Sequence, residues 1–151
     1  MSNMTVNEAY AQYGAKLVNR QWAMSSIAEN GDLVVSCWSH YFKTPEKGTL
    51  RYSDAFSRWK ANEAGSTLLK EHLAGALKDN TPVRIVFATT VETDLVDAGL
   101  DVAAASKKYH VRRDIKGRLV SFDGDSFVLD FKKEDDWANM PAAKHGKAKA
   151  G

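Results

Sequence analysis

The order of its segments predicts that this chain folds as a single α+β domain with a mixed or antiparallel, strongly bent sheet. Short alternating or β-branched segments outnumber helical ones, and several neighbours are joined by turn residues alone. Only residues 66–78 have the spacing of a long amphipathic helix. The chain has 151 residues, 44% hydrophobic and 26% charged, which is enough for a sizeable core. We therefore predict a domain over residues 1–133 and a polar, flexible tail over 134–151.

The first third of the chain is predicted to contain a short helix and a β-hairpin. Residues 6–13 place their apolar side chains at helical spacing. Residues 17–27 and 33–42 alternate apolar and polar side chains, which is typical of half-buried strands. Asn30-Gly31 lies between these two segments and supplies the two positive φ angles of a type I′ turn. The two strands are therefore predicted to pair as an antiparallel hairpin.

The remaining segments predict the long helix and the strands that complete the sheet. Residues 66–78 carry leucines at helical spacing on one face. Residues 82–90 are β-branched with few charges, which is typical of a central strand buried on both faces. The other predicted strands are 50–52, 108–113, 118–122 and 126–131, and the last two form a hairpin. Partial barrels of the PUA-like and OB-like kinds are built from such elements, an analogy of architecture alone.

Cysteine usage and hydropathy predict a cytoplasmic protein that does not cross a membrane. Cys37 is the only cysteine, so no internal disulfide is possible, and a reducing compartment is the default for such a chain. The first residues lack a basic start followed by an apolar run, which is the pattern of a secretory signal. No apolar run approaches the length that a bilayer requires.

The charges are unevenly distributed although the net charge is only +2. Residues 107–118 hold six Lys or Arg against the single acid Asp114, whereas acids collect in residues 92–101 and 134–136. Such a distribution predicts a basic face and an acidic face on one molecule.

The stretch Trp38–Lys60 carries the strongest indication of function. Six aromatic residues are interleaved there with Lys, Arg and His. If residues 33–42 form one strand, Trp38, His40 and Phe42 share a face. Aromatic rings among cations stack on bases and neutralise phosphates, whereas purely structural core aromatics do not usually alternate with cations. The pair Arg58-Trp59 with Lys60 is the part of the stretch that packing explains least.

A second basic segment is expected to complete the surface. On a strand over 108–113, His110 and Arg112 point to one side, although a charged edge strand that prevents aggregation has the same pattern. The sequence thus predicts non-catalytic binding of nucleic acid or an isolated base, without a cofactor. The predicted binding residues are Trp38, His40, Phe42, Arg51, Tyr52, Arg58, Trp59, Lys60, His110 and Arg112.

Three alternatives follow from the same sequence. Asp130-x-Lys132 has the D-x-K form of a Mg²⁺-dependent nuclease strand, with Asp114, Asp123 or Asp125 as the second carboxylate. A zinc site at Cys37 and His40 is disfavoured, because these side chains lie on opposite faces of a strand. The third alternative is a small inhibitor or adaptor that docks on another protein through the aromatic stretch, since Trp, Tyr and Arg also dominate protein interfaces.

Overall fold

Eight strands form one curled, open sheet in the computed structural model, which describes residues 4–19, 23–58, 63–100 and 107–139. The strands are β1 Ser25–Ile27, β2 Leu33–Trp38, β3 Lys43–Glu46, β4 Thr49–Ala55, β5 Val83–Thr90, β6 Lys107–Val111, β7 Ile115–Phe122 and β8 Ser126–Lys133. The α-helices are α1 Val6–Ala11, α2 Glu63–Asp79 and α3 Thr93–Asp97, and 3₁₀ turns occur at Ser39–Tyr41, Phe56–Arg58 and Glu134–Asn139. The α+β prediction is confirmed, and none of the helices in these ranges is long and apolar enough to cross a membrane.

The sheet curls because two successive strands share one edge of the central strand. The strand order is β1-β2-β5-β7-β8-β4-β3, and β6 also pairs with β5. On that edge β6 pairs with Val86–Thr90, and β7 pairs at Val83 after a turn at residues 113–114. Among the eight strands of the described ranges, β2 and β5 pair in parallel and the other pairs are antiparallel. The bend between β6 and β7 carries β8, β4 and β3 round towards β2.

Two clusters of apolar side chains cover the two faces of β5, which confirms its predicted central position. The main core fills the concave face, where α2 contributes Leu69, Leu73 and Ala76. The second cluster lies on the other face and joins α1 to the strands through Tyr10, Val34 and Val86. The long helix extends three residues before and one residue after the predicted 66–78.

The first hairpin forms, but with a different turn and a shorter strand than predicted. Within the turn of residues 28–32, Gly31 alone has a positive φ, of 94°. Ala28 donates its backbone N–H to the Asp32 carbonyl at 2.8 Å. A single left-handed residue after a type I turn replaces the predicted type I′ pair. Strand β1 covers only residues 25–27, whereas residues 15–19 and 23–24 form no regular structure. The Ser26 hydroxyl donates to the Lys16 carbonyl, which ties β1 to this irregular segment.

Residues 134–139, which the sequence assigns to the tail, form a 3₁₀ helix that contacts β7. The Trp137 indole N–H donates to the Gly117 carbonyl at 2.7 Å. The guanidinium of buried Arg118 lies 4.1 Å from the centre of the Trp137 ring, and the Lys116 ammonium lies 4.9 Å from it. Part of the predicted basic segment is therefore covered by this turn. The remainder of the predicted tail lies outside the described residues.

His72 is expected to make the stability of the fold depend on pH. Its Nδ1 lies 2.7 Å from the Ser25 hydroxyl at the contact between α2 and β1, and burial lowers the pKa of the ring below its ordinary value of 6.5. Because the folded pKa is the lower one, the stabilisation is complete above about pH 6.5 and is lost as the pH falls through the folded pKa. Urea denaturation at pH 7.5 and 5 is expected to show a smaller acid-dependent loss in His72→Asn than in the wild type. The same pH dependence in both proteins would contradict this assignment.

Candidate functional site

The predicted face of Trp38, His40 and Phe42 does not form, so the sequence interpretation is wrong on this point. Strand β2 ends at Trp38, and the 3₁₀ turn Ser39–Tyr41 interrupts the alternation of side chains. The Ser39 hydroxyl lies 2.9 Å from that of Thr89, which ties this turn to the end of β5. As a result Phe42 turns into the main core, where its ring centroid lies 4.9 Å from that of Phe87.

Trp38, His40 and Tyr41 form an aromatic cluster at the end of β2. The ring centroids of His40 and Tyr41 are 4.3 Å apart, and those of Trp38 and His40 are 6.4 Å apart. The Tyr41 hydroxyl donates to Asp97 of α3 at 2.6 Å, and His40 Nε2 lies 3.3 Å from the same oxygen. The His40 side chain is 29% exposed and Trp38 is half-buried, so the cluster presents part of its ring surface to solvent.

The contact with Asp97 fixes the protonation state of Tyr41. Burial and the hydrogen bond to Asp97 raise the pKa of Tyr41 to about 12. The same hydrogen bond lowers the pKa of Asp97, to which His40 also contributes. At neutral pH the tyrosine therefore stays a hydrogen-bond donor and the carboxylate stays charged.

A groove of about 480 Å³ lies beside the aromatic cluster. Most of its lining comes from the aromatic and basic stretch that the sequence singles out, and the rest comes from the start of β8. The lining residues are Tyr41, Lys43, Arg51, Ser53, Asp54, Ala55, Arg58, Ser126, Phe127 and Val128. We refer to this feature below as the groove.

A buried network of hydrogen bonds underlies the groove. The Asp54 side chain is 2% exposed and accepts from Arg58 Nε and Nη2, both at 2.8 Å. The hydroxyl of buried Tyr52 donates to the same carboxylate at 3.0 Å. Arg58 also donates to the Val96 carbonyl at 2.6 Å, and its guanidinium lies 4.9 Å from the centre of the Tyr41 ring. Tyr52, predicted to bind ligand, is thus part of the support beneath the groove.

Two cations lie side by side along the groove. Lys43 of β3 pairs with Arg51 of β4, so their side chains occupy neighbouring positions on one sheet face. Arg51 makes a bidentate contact with Asp130 at 2.7 and 2.8 Å, whereas exposed Lys43 forms no ion pair within the described ranges. Like charges directly opposite each other destabilise a sheet. Asp130 already offsets part of this repulsion, and a bound anion would offset the remainder.

The structure does not bring His110 and Arg112 to the groove. The His110 ring stacks on Phe87 at 4.8 Å with an interplanar angle of 8°, and burial lowers its pKa. Arg112 forms an ion pair with Asp114 at 2.6 Å. The predicted binding residues Trp59 and Lys60 follow directly after Arg58 but lie outside the described residues.

The carboxylates of the nuclease hypothesis are engaged separately. Asp130 bonds to Arg51, and Lys132 lies 3.3 Å from Glu46. Asp114 bonds to Arg112 and to Lys133, and these contacts lower its pKa strongly.

The other metal candidates are likewise apart. Asp123 accepts two backbone N–H groups within its turn, and Asp125 bonds to Ser57. Cys37 is buried in the main core, whereas His40 is exposed in the aromatic cluster. Among the described residues, no three His, Cys, Asp or Glu side chains are placed to hold a metal ion.

Three site residues escaped the sequence interpretation: Tyr41, Lys43 and Asp54. A strand continued through residue 42 would place Tyr41 on the face opposite His40, but β2 ends at Trp38. Lys43 lies inside the stretch Trp38–Lys60 without any further distinguishing pattern. The spacing of Asp54 and Arg58, four residues apart, is a signal for an ion pair, provided that the chain turns after Ala55 as it does here.

Comparisons of the chain with models of protein families, with curated proteins and with solved structures found no match. The chemistry of the groove and of the aromatic cluster therefore carries the functional argument.

Proposed function

We propose that the protein binds nucleic acid through unpaired bases, without catalysis, at the groove and the adjacent aromatic cluster. The observation that carries the proposal is the neighbouring pair of cations, Lys43 and Arg51, in a groove that also borders on Tyr41. A groove of 480 Å³ is within the range of about 300–1,000 Å³ that is typical of small-molecule sites. This size favours a single nucleotide unit over a duplex.

The two parts of the site support two different interactions. His40 and Trp38 offer ring surface on which an unpaired base stacks, and such stacking is worth about 1–3 kcal/mol per base. Lys43 and Arg51 offer charge for the phosphates on either side of that base. Asp130 and Glu46 offset part of the charge of Arg51, so the electrostatic contribution to affinity is modest.

Binding without catalysis is favoured by the way the nearby carboxylates are used. Asp54 accepts four hydrogen bonds, which use its lone pairs, and Asp130 accepts a bidentate arginine, which places a positive charge where a metal ion would have to bind. The proposal further assigns the protein to the cytoplasm, where a single buried thiol such as Cys37 is typical.

A titration followed by fluorescence anisotropy tests the proposal. The probes are a labelled single-stranded oligonucleotide and the duplex of the same sequence, each at about 50 and about 200 mM salt. We expect the single strand to bind more tightly than the duplex. With two cations engaged, log K is expected to fall with log salt at a slope of about −1.4, since each neutralised phosphate of a single strand contributes about −0.7.

Two outcomes would contradict the proposed function and favour another one. Absence of binding at the lower salt concentration contradicts it and leaves docking to another protein as the hypothesis to test. Cleavage of the probe with Mg²⁺, abolished by Asp130→Asn or Lys132→Ala, would establish the nuclease alternative instead.

A further inference from the structure

We propose that Arg58 is held in place by Asp54 to bind one phosphate group in the groove. This inference rests on the proposed function, which it deepens by naming the residue that recognises the phosphate. Arg58 comes from the turn Phe56–Arg58, between β4 and α2, and its side chain is 28% exposed.

The contacts of Arg58 leave part of its guanidinium available. A guanidinium has five N–H groups. Its Nε and one N–H of Nη2 are bonded to Asp54, and one N–H of Nη1 is bonded to the Val96 carbonyl. One N–H on each terminal nitrogen has no partner within the described residues. Two such donors on a planar cation match the oxygens of a phosphate group.

Asp54 is saturated by donors, so it fixes the arginine without competing for a ligand. One of its oxygens accepts from the Ala55 backbone N–H and from Arg58 Nε, and the other accepts from Tyr52 and from Arg58 Nη2. An ionised carboxylate accepts about four hydrogen bonds. The Ala55 and Tyr52 donors compensate part of the negative charge of Asp54. Asp54 therefore neutralises Arg58 less completely than a carboxylate with no other donor would.

The surroundings restrict the guanidinium to one position. Asp54 holds one edge, the Val96 carbonyl holds Nη1, and the Tyr41 ring lies 4.9 Å away. A donor that is already oriented loses little conformational entropy when a ligand binds. The same groove is lined by Lys43 and Arg51, so the phosphate is approached by cations from three elements.

The experiment measures the part of the affinity that the phosphate supplies. Adenosine 5′-monophosphate and adenosine are titrated by calorimetry into the wild type, Arg58→Lys and Arg112→Lys. We expect the wild type to bind the monophosphate at least about tenfold more tightly than adenosine, and Arg58→Lys to lose most of that ratio. Arg112→Lys makes the same change in an arginine that pairs with Asp114 outside the groove, so its ratio is expected to stay close to that of the wild type.

A purely structural role of Arg58 predicts a different pattern. In that case Arg58→Lys would lower the affinity for adenosine monophosphate and for adenosine by the same factor. An unchanged ratio of the two affinities would overturn the inference. Should Arg58→Lys fail to fold, the wild-type protein still decides the matter by NMR. The guanidinium signals of Arg58 are then expected to shift with adenosine monophosphate and not with adenosine, and equal shifts with both ligands would overturn the inference.

The failure of this inference is distinguishable from failure of the proposed function. If the protein binds the oligonucleotide but Arg58→Lys leaves the ratio of monophosphate to adenosine affinity unchanged, only the role of Arg58 is refuted. If Arg58→Lys lowers that ratio but the protein does not bind the oligonucleotide, the proposed function is refuted and a mononucleotide site is left. Oligonucleotides with and without a 5′-phosphate then separate a terminal phosphate from an internal phosphodiester, and both results support the site.

Discussion

Replacing Asp54 by alanine is expected to lower the free energy of unfolding by about 3–5 kcal/mol. The change leaves the Arg58 guanidinium and the Tyr52 hydroxyl without their shared acceptor, in a place where the Asp54 side chain is only 2% exposed. Removing one partner of a buried ion pair costs more than the pair itself contributes, because the remaining charge stays desolvated. Urea denaturation monitored by circular dichroism measures the change.

Asp114→Ala is the matched control for this prediction. Asp114 also makes a bidentate contact with an arginine, Arg112, but its side chain is 47% exposed. Exposed ion pairs contribute little to stability because water and salt screen them. We therefore expect a much smaller loss in Asp114→Ala. Equal losses in the two variants would mean that burial of the Asp54 network does not matter to the fold.

Replacing Gly117 by alanine is expected to destabilise the protein by about 1–3 kcal/mol. Gly117 of β7 pairs with Phe131 of β8, and a Cβ at position 117 would lie 2.4 Å from two atoms of the Phe131 ring. It would also lie 2.9 Å from the Asp130 carbonyl oxygen, which belongs to the rigid backbone. Because Phe131 is 1% exposed, its ring has little room to move.

A double-mutant cycle attributes this cost to the ring contact. In a Phe131→Leu background the smaller side chain gives way, so Gly117→Ala is expected to cost less there than in the wild type. Gly75→Ala in α2 is the control, because a Cβ at Gly75 meets no atom within 4 Å. That variant is expected to gain about 0.5–1 kcal/mol from helix propensity. An additive cycle would contradict the proposed clash.

The sequence predicted correctly those helices and strands whose residues follow one regular pattern over their whole length. The leucines of α2 and the β-branched run of β5 each satisfy a single periodicity over many residues, so their secondary structure follows from the pattern alone. The hairpin of β7 and β8 also forms, since its turn at Asp123 and Gly124 is built from residues that bond their own backbone.

The site was harder to predict because it depends on two non-local events. Strand β2 ends at Trp38 since the turn Ser39–Tyr41 contacts Thr89, a residue far along the chain. The curl of the sheet then places β8 beside β4, so Ser126 and Val128 line the groove. The sequence pointed to His110 instead, but Phe87 stacks on that ring across β5 and β6. No local pattern records which strand becomes the neighbour of β4.

The affinities of Lys43→Glu and Lys78→Glu for a single-stranded oligonucleotide decide whether the groove is the binding site. Lys43 is exposed, lines the groove and forms no ion pair within the described ranges, so reversing its charge disturbs few contacts of the fold. Lys78 is also exposed but lies near the end of α2, outside the groove. At about 50 mM salt we expect Lys43→Glu to lose about tenfold or more in affinity while Lys78→Glu retains that of the wild type. Equal affinities in the two variants would contradict the groove as the binding site.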